Sequence, residues 1–494
     1  MLCVSVGRGR HKHMIAEYKH LAEQGVKLVE LRLDYIDREV NLKRILAERP
    51  AAVIVTCRRT EEGGHWRGTE QARQMLLRSA IVEGVDYVDL EDDIAGNIPR
   101  YGKTKRIISY HNFRETPADL EGLHARLASL DADVVKIATM AHNPSDNMRM
   151  LRLVRNAKVP TAALCMGEIG TPTRILASKF GSVFTYASFH HERSLAPGQV
   201  GYKQMREIYH FDNITPETEV FGVIADPISH SLSPVIHNAA FDHLKMNRVY
   251  VPFRVPREDL RQFLDDCNEL GVKGLSVTIP HKEEVLPLIT KADSSVQGIG
   301  AANTLVFKDG ERIAYNTDYR AAMESLERAV GDITTDKPFA GKVVLILGAG
   351  GVSKALAYGA KRRGGDVVIS SRTAARAEEL ANRVGGRAVD WEHRHNLKVD
   401  ILINGTPIGM HPNVDETPYE RRHLRPSTIV FDTVYNPENT LLIKDARQQG
   451  CNIITGVDMF VGQAALQFKL FTGEEAPLDE MRQEMKRAMG AARY

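Results

Sequence analysis

The run Asp133-Val134-Val135-Lys136-Ile137-Ala138 decides how this chain is read. It predicts a buried strand of Val and Ile interrupted by one lysine. Burial disfavours the charged form of a lysine. A neutral amine is a nucleophile that forms a Schiff base with a ketone. The same lysine could instead snorkel from a strand end to water. The preceding apolar run, Arg106-Ile107-Ile108-Ser109-Tyr110, leads straight into His111. A candidate base therefore stands at the end of the neighbouring strand.

Working outward, eight apolar runs predict strands over 2–6, 27–33, 52–57, 85–91, 105–110, 133–138, 160–165 and 182–187. Segments with helical spacing lie between them, such as 70–83 and 144–156. Eight strand–helix units predict a closed parallel barrel, whose chemistry sits at the C-terminal ends of its strands. Ser5, Glu30, Arg32, Arg58, His111 and Lys136 fall at those ends. One or two polar strand ends are commonplace, but this many converging is hard to explain by structure alone.

The chain has 494 residues, enough for about two to four domains. With 43% hydrophobic and 26% charged residues, disorder is not indicated. A formal net charge of +2 gives no reason to expect nucleic acid or a membrane as partner. Five cysteines, Cys3, Cys57, Cys165, Cys267 and Cys451, are scattered without metal-ligand spacing. They read as reduced core residues, and no metal is expected. The strand pattern begins at Leu2, leaving no room for a signal or transit peptide, and no run has the length of a membrane span. The expectation is a cytoplasmic protein with small-molecule substrates.

The first 212 residues resemble type I 3-dehydroquinate dehydratase. The resemblance rests on Val29-Glu30-Leu31-Arg32, Thr56-Cys57-Arg58 with Glu61-Glu62-Gly63-Gly64, Ser109-Tyr110-His111-Asn112-Phe113, Val135-Lys136-Ile137-Ala138 and Ala196-Pro197-Gly198-Gln199. It implies a TIM barrel in which Lys136 forms an imine with the substrate ketone. His111 then removes the acidified proton and later protonates the departing hydroxyl, while Glu62 orients His111. It implies that Arg174 grips the substrate carboxylate, a bidentate task suited to guanidinium. Ser5, Glu30, Arg32, Arg58 and Gln199 join the substrate-binding set. In one departure, Leu195 stands where that family often has serine, with Ser194 one residue earlier.

The pattern stops at 211–218, a polar stretch with a proline that reads as a linker. Further on, the apolar run 342–347 leads into Gly348-Ala349-Gly350-Gly351-Val352-Ser353 and a helix. Such a turn holds a pyrophosphate on backbone N–H groups and the helix dipole, although glycine turns also serve tight packing. The next strand ends in Ser370-Ser371-Arg372-Thr373, with Arg376 close behind. NAD sites usually end this strand in an acid. Two arginines and a hydroxyl suit a phosphate instead, which predicts NADP.

The flanking sequence resembles shikimate dehydrogenase. It carries Asp226-Pro227-Ile228-Ser229-His230-Ser231-Leu232-Ser233-Pro234, Ser276-Val277-Thr278-Ile279-Pro280-His281-Lys282, Gly300-Ala301-Ala302-Asn303-Thr304 and Asn316-Thr317-Asp318. The resemblance implies that Lys282 and Asp318 manage the proton of ketone reduction. Ser231, Ser233, Thr278, Asn303, Tyr435 and Gln463 would bind substrate. Gly348, Ala349, Gly350, Gly351, Val352, Ser371, Arg372, Thr373, Arg376, Asn404, Thr406 and Gly456 would bind the cofactor. The expected division is a dehydratase barrel over 1–212, a shikimate-binding domain over 218–330 completed by helices within 458–494, and a Rossmann-like NADP-binding domain over 331–457.

Together the two resemblances imply a bifunctional enzyme that dehydrates 3-dehydroquinate and reduces the product with NADPH to shikimate. Two alternatives stay open. The dehydrogenase could also use quinate, or the chain could be a catalytically inactive metabolite sensor. A sensor could shed Lys136, His111, Lys282 or Asp318, yet all four are present.

Overall fold

The computed structural model describes every residue except 191–193, 230, 332–334 and 492–494. His230 of the serine loop and the end of the last expected helix thus lie outside the described residues. The chain divides into two compact units, Met1–Pro234 with Met246–Val272, and Val235–Lys245 with Lys273–Tyr494.

The first unit opens with eight parallel strands: β1 (Leu2–Val6), β2 (Leu28–Arg32), β3 (Ala52–Thr56), β4 (Tyr87–Glu91), β5 (Lys105–Asn112), β6 (Val134–Met140), β7 (Thr161–Met166) and β8 (Thr185–Ser188). Their order is β7-β6-β5-β4-β3-β2-β1-β8. The expected eight-stranded parallel barrel forms, and it is nearly closed: β7 and β8 share no ladder. β8 has only four residues, so Ser182 Oγ and Val183 N–H reach Thr161 O across the seam. Inward side chains from Cys3, Leu28, Ile54, Ile107, Val134, Ala162 and Phe184 fill the lower barrel. The layer above them is polar. β5 runs past Tyr110 through His111 and Asn112, so His111 sits on the strand rather than after it.

Residues 211–218 do not behave as a free linker. Phe211 is 1% exposed in a short 3-10 turn, and Lys179 Nζ donates to the carbonyls of Pro216 and Thr218. Two further strands of this unit, β9 (Glu219–Ala225) and β10 (Arg248–Arg254), pair in parallel. The helix Leu260–Leu270 packs on Pro144–Asn156, where Glu269 receives Arg152 and Arg155.

In the second unit β11 (Val272–Val277, its first residue excepted), β13 (Thr304–Lys308) and β14 (Glu311–Tyr315) are antiparallel neighbours, with β12 (Lys291–Ala292) parallel on β14. The remaining strands are β15 (Val343–Leu347), β16 (Asp366–Ser370), β17 (Arg387–Ala388), β18 (Ile401–Asn404), β19 (Ile429–Asp432) and β20 (Asn452–Ile454). They form one parallel sheet in the order β17-β16-β15-β18-β19-β20. Counted from β15 this is the doubly wound order 3-2-1-4-5-6, which binds ligands where the order reverses, at the ends of β15 and β18. The helix Gly456–Thr472 returns from this sheet to pack on Thr317–Val330.

Candidate active sites

Every residue singled out for the barrel faces one pocket: Ser5, Glu30, Arg32, Arg58, Glu62, His111, Lys136, Arg174 and Gln199, with Phe113, Met166 and Tyr186 completing the wall. The parallel register puts them there. Ser109 lies beside Lys136, and His111 beside Ala138, so His111 projects one step above the lysine on the same face.

Lys136 is 6% exposed, and two carboxylates flank it rather than an apolar wall. Its Nζ donates to Asp89 Oδ2 at 2.8 Å and lies 3.5 Å from Glu30 Oε1. The Tyr186 ring centroid is 4.3 Å from Nζ. Glu30 also accepts from Ser5 Oγ at 2.6 Å and Thr56 Oγ1 at 2.9 Å. Burial alone would raise the Glu30 carboxyl, but Lys136 and Arg32 bring it below its ordinary value.

Arg58 is the hub of the charge network. It pairs with Asp89 at 2.8 Å and Glu91 at 3.0 Å, and reaches Glu62 at 3.4 Å. Arg32 grips Asp34 through two bonds of 2.9 and 2.8 Å. Arg174 is different. It is 1% exposed; among the described residues its amino groups reach only the carbonyls of Tyr186 and Pro197, and its buried Nε has no partner. Burial brings it down to about 10. An enclosed guanidinium without a carboxylate is costly unless an anion arrives to meet it.

His111 Nδ1 is 3.2 Å from Glu62 Oε2. With the proton on Nδ1, Nε2 remains a free acceptor. Burial first, then Arg58 and Lys136, holds the imidazole well below its ordinary pKa, so it rests neutral. Glu62 closes a 3-10 turn capped by Gly63 at φ 72. A Cβ on Gly63 would strike the Phe113 ring at 2.4 Å, which explains a glycine there. In the loop above, Leu195 and Ala196 line the pocket, whereas exposed Ser194 turns back on Ala196 O. Gln199 accepts from Leu195 N–H at 2.9 Å.

In the second unit, Lys282 Nζ donates to Asp318 Oδ2 at 2.6 Å. Asp318 follows Thr317, and Asn303 accepts from Thr317 N–H at 2.7 Å while donating to Thr317 Oγ1 at 2.9 Å and Gln463 Oε1 at 3.4 Å. Gln463 donates to Phe460 O, and the Phe460 ring packs on Tyr435 with centroids 4.7 Å apart. Thr278 is half-buried at the end of β11. Ser231 and Ser233 belong to the first unit, where Ser233 N–H donates to Ser231 Oγ at 3.4 Å as a helix begins.

The glycine turn sits at the predicted switch point. Gly348 has φ +98, and a Cβ there would lie 3.0 Å from Gly405 O. Gly350 caps the helix Gly351–Arg362, with open space where its side chain would be. Ala349 and Val352 are half-buried in the same turn. These backbone amides fit a pyrophosphate. A Cβ on Gly351 would lie 3.6 Å from Lys282 Cδ, so the lysine stands beside this turn. Arg372, Thr373 and Arg376 are exposed past β16, where Thr373 N–H donates to Ser371 Oγ. Asn404 and Thr406 are spent on the loop itself. Asn404 donates to Asp432 and accepts from Thr406 N–H and Oγ1. Gly456 is buried, and a Cβ on it would meet Val434 O at 2.2 Å.

The sequence reading missed Asp89, Glu91 and Tyr186 in the barrel, and Thr317 and Gln467 in the second unit. The signal for the first two was present: acids at i and i+2 of an apolar strand share one face.

The profile described as Type I 3-dehydroquinase matches residues 2–216, that of the shikimate dehydrogenase substrate binding domain 223–305, and that of the shikimate 5'-dehydrogenase C-terminal domain 456–486. A profile of F420-dependent NADP oxidoreductases matches 342–434. The chain is 40% identical to the chloroplastic bifunctional 3-dehydroquinate dehydratase/shikimate dehydrogenase of Arabidopsis thaliana, over 97% of this chain and 83% of that one. It is 42% identical to the shikimate dehydrogenase (NADP(+)) of Methanopyrus kandleri, over 55% and 96%. A crystal structure of shikimate dehydrogenase in complex with NADP+ superposes with TM-score 0.52 at 36% identity, covering 56% of this chain and 97% of its own. The fold and the two sites define an enzyme of two activities, a lyase joined to an oxidoreductase. More narrowly, the chain belongs to the family of bifunctional 3-dehydroquinate dehydratase/shikimate dehydrogenases.

Proposed function

We propose that the chain dehydrates 3-dehydroquinate at Lys136 and reduces the resulting 3-dehydroshikimate to shikimate at Lys282. The observation that carries this reading is the shared pocket of Lys136, His111 and Arg174. Arg174 receives the substrate carboxylate. Lys136 attacks the ketone and releases water, leaving a protonated imine that draws electrons from the adjacent C–H bond. His111 Nε2 takes that proton and returns it to the leaving hydroxyl, and Glu62 keeps the imidazole in the tautomer that frees Nε2. Glu30, Arg32, Arg58, Ser5 and Gln199 shape the rest of the pocket.

In the second reaction NADPH, when bound, supplies the hydride. Gly348 through Val352 hold its pyrophosphate, and Arg372, Thr373 and Arg376, with Ser371, receive the additional phosphate. Asn404, Thr406 and Gly456 set the loop that borders the cofactor. Lys282 gives the product alkoxide its proton, and Asp318 aims the ammonium. Ser231, Ser233, Thr278, Asn303, Tyr435 and Gln463 bind the substrate. Paired serines at the carboxylate end favour shikimate over quinate, which carries an extra hydroxyl on that carbon. The working division is 1–212, 218–330 with 458–494, and 331–457, and the setting is cytoplasmic, with no nucleic acid or membrane partner. Supplying 3-dehydroquinate and NADPH together tests the whole reading. Shikimate should accumulate as cofactor is oxidised, and a chain that consumed neither would be the inactive sensor.

A further inference from the structure

We propose that Asp89 is the counter-ion of the Lys136 imine: its Oδ2 accepts the N–H of the protonated imine and keeps that nitrogen cationic. The inference rests on the Schiff-base reading above. Asp89 is 1% exposed, and its two oxygens have separate duties. Oδ1 accepts from Arg58 at 2.8 Å and from Ser109 Oγ at 2.6 Å, which fixes the plane of the carboxylate. Oδ2 is left to face Nζ at 2.8 Å. Glu30 is farther from Nζ, at 3.5 Å, and its oxygens are already engaged by Ser5 and Thr56. Opposite the carboxylates, the Tyr186 ring offers a second surface that favours a cation.

The chemistry needs such a partner wherever the nitrogen is a cation. An ammonium and a ketone give a protonated imine and water, so the imine forms with the positive charge on nitrogen. When His111 removes the neighbouring proton, the C–H electron pair forms a C=C bond and the C=N π pair moves onto nitrogen, which gives a neutral enamine. Loss of the hydroxyl as water, with the proton returned by His111, restores the cation. An imine that sheds its proton is a poor electron sink. Arg32, Arg58 and Arg174 around the same pocket all push towards that neutral form. Asp89 opposes them and remains an anion: burial alone would raise its carboxyl, but Arg58 and Lys136 hold it well below the ordinary range.

The test is Asp89→Asn in the full chain, read by the pH profile of dehydration and by borohydride trapping, which reduces protonated imines. The alkaline limb of both profiles should move down by about one to three pH units. The Lys136 adduct should still form at acid pH. A profile parallel to the parent's, even with lower turnover, would overturn the proposal and leave Asp89 as a brace for Arg58. Loss of the Lys136 adduct in the parent itself would instead sink the Schiff-base reading. If the asparagine variant does not fold, Ser109→Ala decides, because it loosens Oδ1 and keeps the charge. A smaller shift in the same direction supports the counter-ion, and an unmoved limb refutes it.

Discussion

The barrel site and the Lys282 site handle charge in opposite ways. In the barrel, Arg58, Lys136 and Arg32 are enclosed and met by Asp89, Glu91, Glu30 and Asp34. In the second unit one half-open pair, Lys282 with Asp318, borders a network of neutral groups, Asn303, Thr317, Gln463 and Gln467. The difference follows from the reactions. An imine route puts a cation on nitrogen both before and after its neutral enamine, so its counter-charges must be in place beforehand. A ketone reduction develops negative charge on one oxygen and needs one proton delivered once. Buried pairs are costly to assemble and costlier to break, which makes the barrel the more brittle of the two sites.

The largest expected effect follows from removing the nucleophile. Lys136→Ala should bring dehydration to background and abolish the borohydride adduct, while reduction of 3-dehydroshikimate is unchanged. Loss of both activities would break the separation. His111→Ala should cost about a hundredfold or more in dehydration but retain the adduct, because the base acts after the imine forms. An adduct lost together with turnover would place His111 earlier in the sequence of steps.

Next is the proton donor of the reduction. Lys282→Ala should lower its turnover by about 100- to 1,000-fold with little change in NADP affinity, since the lost interaction belongs to the transition state. Asp318→Asn should harm turnover and substrate affinity together. Near-normal reduction by Lys282→Ala across the pH range would make that lysine an ordinary ion-pair partner.

The two sites were also unequally legible in the sequence. The barrel strands announce themselves as apolar runs, and β1 and the helix Pro144–Asn156 match the expected bounds. The charge network does not, because the two acids of β4 give no hint of their partners: Arg58, just past β3, and Lys136, within β6, lie 31 and 47 residues from Asp89. Only register brings them together. The seam between β7 and β8 was hidden for the same reason. The polar composition of 211–218 gave no sign that Phe211 is buried or that Lys179 holds the carbonyls of Pro216 and Thr218. Arg174 was placed by resemblance alone, and its lack of a carboxylate partner among the described residues is visible only once the pocket is built. In the second unit the glycine turn spelled out its own backbone geometry, whereas the bonds Asn404 makes to Thr406 and Asp432 were invisible from composition.

A smaller effect is expected at the cofactor. A phosphate held by Arg372, Arg376 and Thr373 gains charge-assisted hydrogen bonds of about 1.5–3 kcal/mol each. Arg372→Asp should therefore move the NADP-to-NAD preference by about ten- to a hundredfold, measured as the ratio of kcat/KM values. Equal rates with both cofactors in the parent chain would refute this, and dehydration should not respond.

The smallest expected effect sets one buried aspartate against another. Asp89 is held low by cations, so its stabilisation is present above the unfolded value near 4 and is lost as pH falls through its folded value. Among the described residues no cation pairs with Asp432. Burial pushes it up to about 6 against hydrogen bonds from Thr440, Val434 N–H and Asn404. Its folded state binds the proton more tightly than the unfolded chain. The stability from that proton is complete below about pH 4 and is lost as pH rises through about 6, up to about 3 kcal/mol. Comparing each parent with its asparagine variant cancels the histidine titrations common to both, including those of His237 and His395, which burial lowers to about 3 and about 4. The two tryptophans report the units separately, Trp66 in the first and Trp391 in the second. By Trp391 fluorescence, the melting advantage of the parent over Asp432→Asn should shrink by a few degrees between pH 4 and 7. By Trp66, its advantage over Asp89→Asn should instead grow from acid to neutral pH. Slopes of the same sign would mean that the two units bury their carboxylates on the same terms, and the contrast between paired and unpaired burial would fail.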